Sequence, residues 1–117
     1  MAIDAQLRSI CFDCADPVRV GRFWADVLGY SFEGDETGSA VNPHDGGPNF
    51  WFNLVAEPKQ VKNRVHIDVN LRDRNDLQQL EEMGARVLRT DQEIPGETWF
   101  IMADPEGNEF CAFPPDA

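Results

Sequence analysis

The chain has 117 residues, 42% hydrophobic and 26% charged, with 21 acidic against 10 basic side chains and a formal net charge of −11. That is the size and mix of one globular domain with a core of its own. It excludes a basic nucleic-acid-binding face or an anionic membrane surface as partner, and no apolar run approaches the roughly 18 residues of a membrane span.

Three cysteines are an odd number in a chain that can fold without covalent staples. They argue against a disulfide framework, and with no signal-peptide pattern at the N-terminus the expected compartment is the cytoplasm.

Residues 8–14 alternate, with Ile10, Phe12 and Cys14 on one face and Ser9, Cys11 and Asp13 on the other, the period of a half-buried strand. A helix follows over 18–28, where Val20, Phe23, Trp24, Val27 and Leu28 form one apolar stripe. Asp16 stands at the N-cap, Pro17 at the first helical position and Gly29 at the stop. Short strands are expected near 30–34 and 38–42. Residues 42–48 (Asn-Pro-His-Asp-Gly-Gly-Pro) are turn chemistry, so His44 reads as an exposed loop residue.

In the next strand Phe50, Phe52 and Leu54 face away from Asn49, Trp51 and Asn53. Residues 65–71 repeat the alternation, with Ile67, Val69 and Leu71 against His66, Asp68 and Asn70. A second helix is expected over 74–83 on Leu77, Leu80 and Met83, with Asp73 as cap and Gly84 as stop. A strand near 85–90 follows, then a hairpin of 97–103 and 108–113 across Asp104-Pro105-Glu106-Gly107-Asn108.

The halves repeat. Setting Ser9 on His66 also sets Asp16 on Asp73, a shift of 57 residues, and the order strand, helix, three strands occurs twice. The expectation is an α+β fold of two βαβββ modules, about 7–56 and 63–114, fused into one domain over 1–117. Apolar strand faces would meet the helices, and the polar faces would curve around a cleft. Cys11 and Cys14 form a C-x-x-C spacing, but residues three apart on a strand point to opposite faces, so one ion or one disulfide cannot take both. The chain has no Gly-rich phosphate loop and no G-x-S-x-G elbow.

Several stretches together resemble the vicinal oxygen chelate superfamily, and within it the small glyoxalase-like domains. They are Cys14-Ala15-Asp16-Pro17 leading into Gly21-Arg22-Phe23-Trp24-Ala25-Asp26-Val27-Leu28-Gly29-Tyr30, then Glu57-Pro58-Lys59, Asn63-Arg64-Val65-His66-Ile67-Asp68-Val69, Met83-Gly84-Ala85-Arg86-Val87, and Ala103-Asp104-Pro105-Glu106-Gly107-Asn108-Glu109-Phe110-Cys111. The resemblance implies paired βαβββ modules in a cupped mixed sheet, with helices on the outer face. It also implies four ligand positions, one on the first and one on the last strand of each module, which fall here on Ser9, Asn53, His66 and Glu109.

His66 and Glu109 are good donors for a divalent ion, Ser9 is a poor one and Asn53 a weak one. No tightly bound cofactor is therefore expected, only a weakly held divalent metal at His66 and Glu109. A glyoxalase reaction would need a Lewis acid and a base. His66 has three readings: a metal ligand, an acid/base or ligand-contacting group, or a ring bonded to a neighbour such as Glu109. Glu109 is alternatively a solvated acid after the turn.

Two functions stay open. One is a lyase or isomerase acting on a small organic molecule through His66 and Glu109. The other is a non-catalytic protein that sequesters a ligand, as antibiotic-binding members of the superfamily do. In either case the contact set is Ser9, Cys11, Trp51, Asn53, Asp68 and Trp99. Trp51 is a binding wall or a dimer contact, and alternation leaves the face of Trp99 open. A homodimer is expected, because small sheets leave edges to cover.

Overall fold

The structure is a computed structural model that describes residues 3–91 and 98–115. The chain divides into two compact units, residues 1–58 and 59–117.

In the first unit β1 (Ser9–Cys14) leads into α1 (Pro17–Leu28), β2 (Ser31–Asp35), β3 (Gly38–Asn42) and β4 (Asn49–Leu54). The strands lie in the order β1-β4-β3-β2, with β1 parallel to β4 and the other neighbours antiparallel. The helix forms where its signals stand. Asp16 accepts the Arg19 N–H at 3.0 Å, Pro17 occupies the first turn, and Gly29 takes the left-handed conformation, φ 69°, at the C-cap.

The apolar stripe of α1 packs on β2, β3 and β4. Val20, Trp24, Val41 and Phe52 are almost wholly buried, each contributing about 1.5–3 kcal/mol. Trp24 meets Phe50 edge-on at 5.9 Å, and Phe12 stacks on Phe52 at 5.1 Å. Gly21 lets α1 approach β3 closely, and the buried Ser39 hydroxyl donates to the Pro17 carbonyl at 2.7 Å in that contact.

The second unit repeats the plan with β5 (Ile67–Asn70), α2 (Asp76–Glu82), β6 (Arg86–Asp91), β7 (Trp99–Ala103) and β8 (Glu109–Phe113), in the order β5-β8-β7-β6. Again the first strand is parallel to the last. The protein is thus α+β, with two βαβββ modules. Met102, Phe110 and Ala112 are buried on one side of this sheet, and Leu80 is the buried residue of α2.

The hairpin turn matches its sequence. Asp104 Oδ1 accepts from the backbone N–H groups of Glu106 and Asn108, and Gly107 adopts φ 87°.

Three expectations need correcting. The second helix begins at Asp76, not 74. Asp73 forms a preceding turn in which its carboxylate accepts from the Asn75 N–H and its own N–H donates to Asp76 Oδ2. The cap position therefore falls to Asn75, whose side chain makes no capping bond. The strand expected over 65–71 runs only from Ile67 to Asn70, so His66 sits just before it. Leu54 keeps the face of Phe50 and Phe52, opposite Cys14, though at the end of β4 it is 50% exposed. Residue 97 of the expected 97–103 strand lies outside the described residues. Among the described residues no helix is long and apolar enough to cross a membrane.

Candidate functional site

The polar faces are built row by row from strand register, because Cα partners on neighbouring strands point to the same side of a sheet. In the first unit Ser9 lies opposite Asn49, Cys11 opposite Trp51, and Asp13 opposite Asn53. Across β4, Trp51 pairs with Ala40 and Asn53 with Gly38, and those pair in turn with Glu33 and Asp35.

Ser9 donates its hydroxyl hydrogen to Asn49 Oδ1, and Asn49 donates to Asn42 Oδ1 at 2.8 Å. The Trp51 indole N–H donates to Asn53 Oδ1. Trp51 is 39% exposed. Cys11 is exposed and Cys14 buried, as their opposite faces require.

In the second unit Asp68 lies opposite Cys111, and Cys111 opposite Ile101. Asp68 is exposed, while Cys111 is buried. Trp99 stacks on Phe113 with centroids 5.6 Å apart, which puts it on the side of Cys111 and Glu109 and resolves the face that alternation left open.

His66 is exposed. Continuing the β5–β8 register by one residue sets it opposite Glu109. No hydrogen bond or ion pair joins the two among the described residues. The Glu109 carboxylate instead accepts from the Lys59 ammonium, at 2.9 Å to Oε1, and from the Asn63 backbone N–H at 3.0 Å. Lys59 donates in addition to the Val61 carbonyl at 2.7 Å. The Glu109 side chain is 11% exposed. Burial pushes its carboxyl up, but the Asn63 N–H and Lys59 together outweigh that and hold it below the ordinary glutamate range.

A metal fits this donor set poorly. The Ser9 hydroxyl, the Asn53 amide oxygen and the Glu109 carboxylate already have partners within their own units. No group of three or more His, Cys, Asp or Glu side chains that could hold an ion occurs among the described residues.

Sequence reasoning missed two contributors and one pairing. Asn49, already placed on the polar face, is the register neighbour of Ser9. Lys59 and Asn63 come from a segment without periodicity, where nothing in the residue pattern points to Glu109. His44, read as exposed, is so, and its ring nitrogen Nε2 lies 2.9 Å from the Gly29 carbonyl. A pocket of about 570 Å³ at the start of β1, lined by Gln6, Leu7, Arg8, Gly46, Gly47 and Pro48, takes in none of the predicted site residues.

The glyoxalase-like domain family matches residues 9–113. No curated protein matches the sequence. Solved structures share the fold at low identity. A glyoxalase-related enzyme from Fulvimarina pelagi superposes with a TM-score of 0.69 at 17% identity, over 94% of this chain and 88% of its own. A glyoxalase/bleomycin resistance protein/dioxygenase from Nocardioides gives 0.71 at 13% identity, over 97% and 85%. A bleomycin-binding protein from bleomycin-producing Streptomyces verticillus, solved with copper(II)-bleomycin, gives 0.60 at 17% identity, over 97% and 99%.

Proposed function

The chain belongs to the glyoxalase-like domain family, and on that premise we propose that it binds a small organic molecule on its polar strand faces and holds no metal tightly. The observation that carries this reading is the engagement of Glu109. The Glu109 charge is already offset by the Lys59 ammonium 2.9 Å away and the Asn63 N–H, and a cation bound at this carboxylate would meet the repulsion of that ammonium. With Glu109 so engaged, His66 is the strong donor left, and an imidazole alone gives a weak site whose remaining coordination is water. Binding without chemistry agrees with the bleomycin-binding neighbour, whose fold this chain shares. Ser9, Cys11, Trp51, Asn53, Asp68 and Trp99 are the contact residues in this proposal.

A second reading, a lyase or isomerase, draws on the continued register that sets His66 opposite Glu109. In it, His66 is the general base, exposed and without a hydrogen-bonding partner among the described residues, and Glu109 holds the developing charge on the ring. A homodimer in the cytoplasm belongs to either reading. Its support is β6, an edge strand with Val87 and Leu88 exposed at 39% and 46%.

Metal analysis of natively purified protein, with mass spectrometry of any small molecule released from it, tests the choice. The expected result is clearly substoichiometric metal and a ligand recovered unchanged. Stoichiometric metal that survives dialysis against a mild chelator would overturn the reading and favour a metalloenzyme.

A further inference from the structure

The indole of Trp51 is laid along its sheet rather than standing off it. A Cβ built on Gly38 would come within 3.3 Å of Trp51 Cζ2 and 3.9 Å of Cε2, so the benzo edge lies against the β3 backbone where a side chain is missing. Gly38 is the register partner of Asn53, whose amide oxygen accepts the indole N–H. The bare backbone and the hydrogen bond fix the ring in the same direction. The indole remains 39% exposed, and the flanking positions Cys11 and Ala40 carry small side chains. That is a part-exposed flat aromatic surface with small side chains beside it.

The charge around it has one sign. Glu33 and Asp35 border the platform on β2, and Asp13 borders it on β1. All three are exposed. No basic residue stands at the alternating positions of this face among the described residues. The Asp35 carboxylate is held in place by the Thr37 N–H at 2.9 Å and hydroxyl at 2.6 Å. Neighbouring strands lie about 4.8 Å apart, so these carboxylates come within reach of a molecule stacked on the indole.

We propose that this face is a stacking site for a flat, positively charged aromatic ligand, with Trp51 as the platform and Glu33, Asp35 and Asp13 as counter-charges. The proposal rests on the reading of the protein as a small-molecule binder and names the class of molecule. Stacking supplies contact with the ring face, and a cation adds attraction to both the indole face and the carboxylates.

Fluorescence titration with proflavine, a planar cation, and with 9-anthracenecarboxylate, an anion of similar outline, tests it. Proflavine is expected to bind and the anion not to. Trp51→Leu should weaken proflavine about tenfold, and Trp51→Phe should recover most of the loss. The pair Glu33→Gln and Asp35→Asn should weaken it several-fold and flatten its salt dependence. Each variant is first matched to the parent in thermal unfolding. Equal binding of anion and cation, or unchanged proflavine affinity in a folded Trp51→Leu, would overturn the proposal. Native protein that carries a neutral or anionic ligand would refute the charge class while leaving small-molecule binding intact. Failure of binding itself would show instead as a protein that carries no ligand and whose unfolding no compound of any charge shifts.

Discussion

Replacing Gly21 by alanine sets two effects against each other, and the structure decides the sign. In the middle of α1 the change should help by about 1 kcal/mol, because alanine loses less backbone freedom than glycine on entering a helix. The added methyl, however, would lie 2.5 Å from Ser39 Oγ and 2.8 Å from Phe32 Cε2. Ser39 is 0% exposed, and its hydroxyl donates to the Pro17 carbonyl. Turning that hydroxyl away leaves it buried and unsatisfied, at about 1–3 kcal/mol. Displacing the half-buried Phe32 ring, over which Arg22 stacks at 4.6 Å, adds overpacking of about 1–3 kcal/mol. The penalties exceed the propensity gain, so Gly21→Ala should destabilise by about 2 kcal/mol. Urea unfolding reads this as a midpoint lowered by roughly 1 M with an unchanged slope. In a Ser39→Ala background the 2.5 Å conflict is gone, so the same change should cost about 1 kcal/mol less, a coupling typical of touching residues. A Gly21→Ala protein as stable as the parent, or strict additivity with Ser39→Ala, would refute the reasoning.

Glu109→Gln should lose about 1–2 kcal/mol, since it removes a charge-assisted bond to a Lys59 that is itself 28% exposed and partly screened. The sign with pH follows from the lowered Glu109 carboxyl: its stabilisation is complete above the pKa of the unfolded chain and is lost as pH falls through the lower folded value. Acid unfolding curves of parent and Glu109→Gln should therefore converge below the ordinary glutamate range. Of the three thiols, Cys11 should react with a thiol reagent in the folded protein, and Cys14 and Cys111 only after denaturant is added; rapid labelling of all three would show a wrong register. His66→Ala should change stability by less than about 0.5 kcal/mol, because the side chain is exposed, so a large shift in unfolding would contradict its placement.

The fold was legible where local chemistry and periodicity agree. Asp16, Pro17 and Gly29 mark α1 to within a residue, and strict alternation in 9–14 and 49–54 gives both strands and their faces. The second helix was misplaced because Asp73 caps a turn at the Asn75 N–H while Asp76 accepts the Asp73 N–H, and capping chemistry reads the same in either position. The polar faces were legible as sets, yet the pairing within them was not. Register depends on which strands are neighbours, and Ser9 and Asn49 are 40 residues apart. The Lys59–Asn63 engagement of Glu109 lay beyond reach for the same reason: contacts of an irregular segment leave no period in the sequence.

Each module's sheet has its first strand hydrogen-bonded to its last, β1 to β4 and β5 to β8. During synthesis β1 therefore emerges without its partner, and Phe12 finds its stacking neighbour Phe52 only some 40 residues later. The long closure makes each sheet slow to complete compared with a hairpin. It also makes completion local: every strand of the first sheet has been synthesised once Leu54 has, before any of β5 has been made. The topology thus favours vectorial folding in two steps, in which an amino-terminal half with its sheet closed and its aromatic cluster packed is present while the second is still being translated.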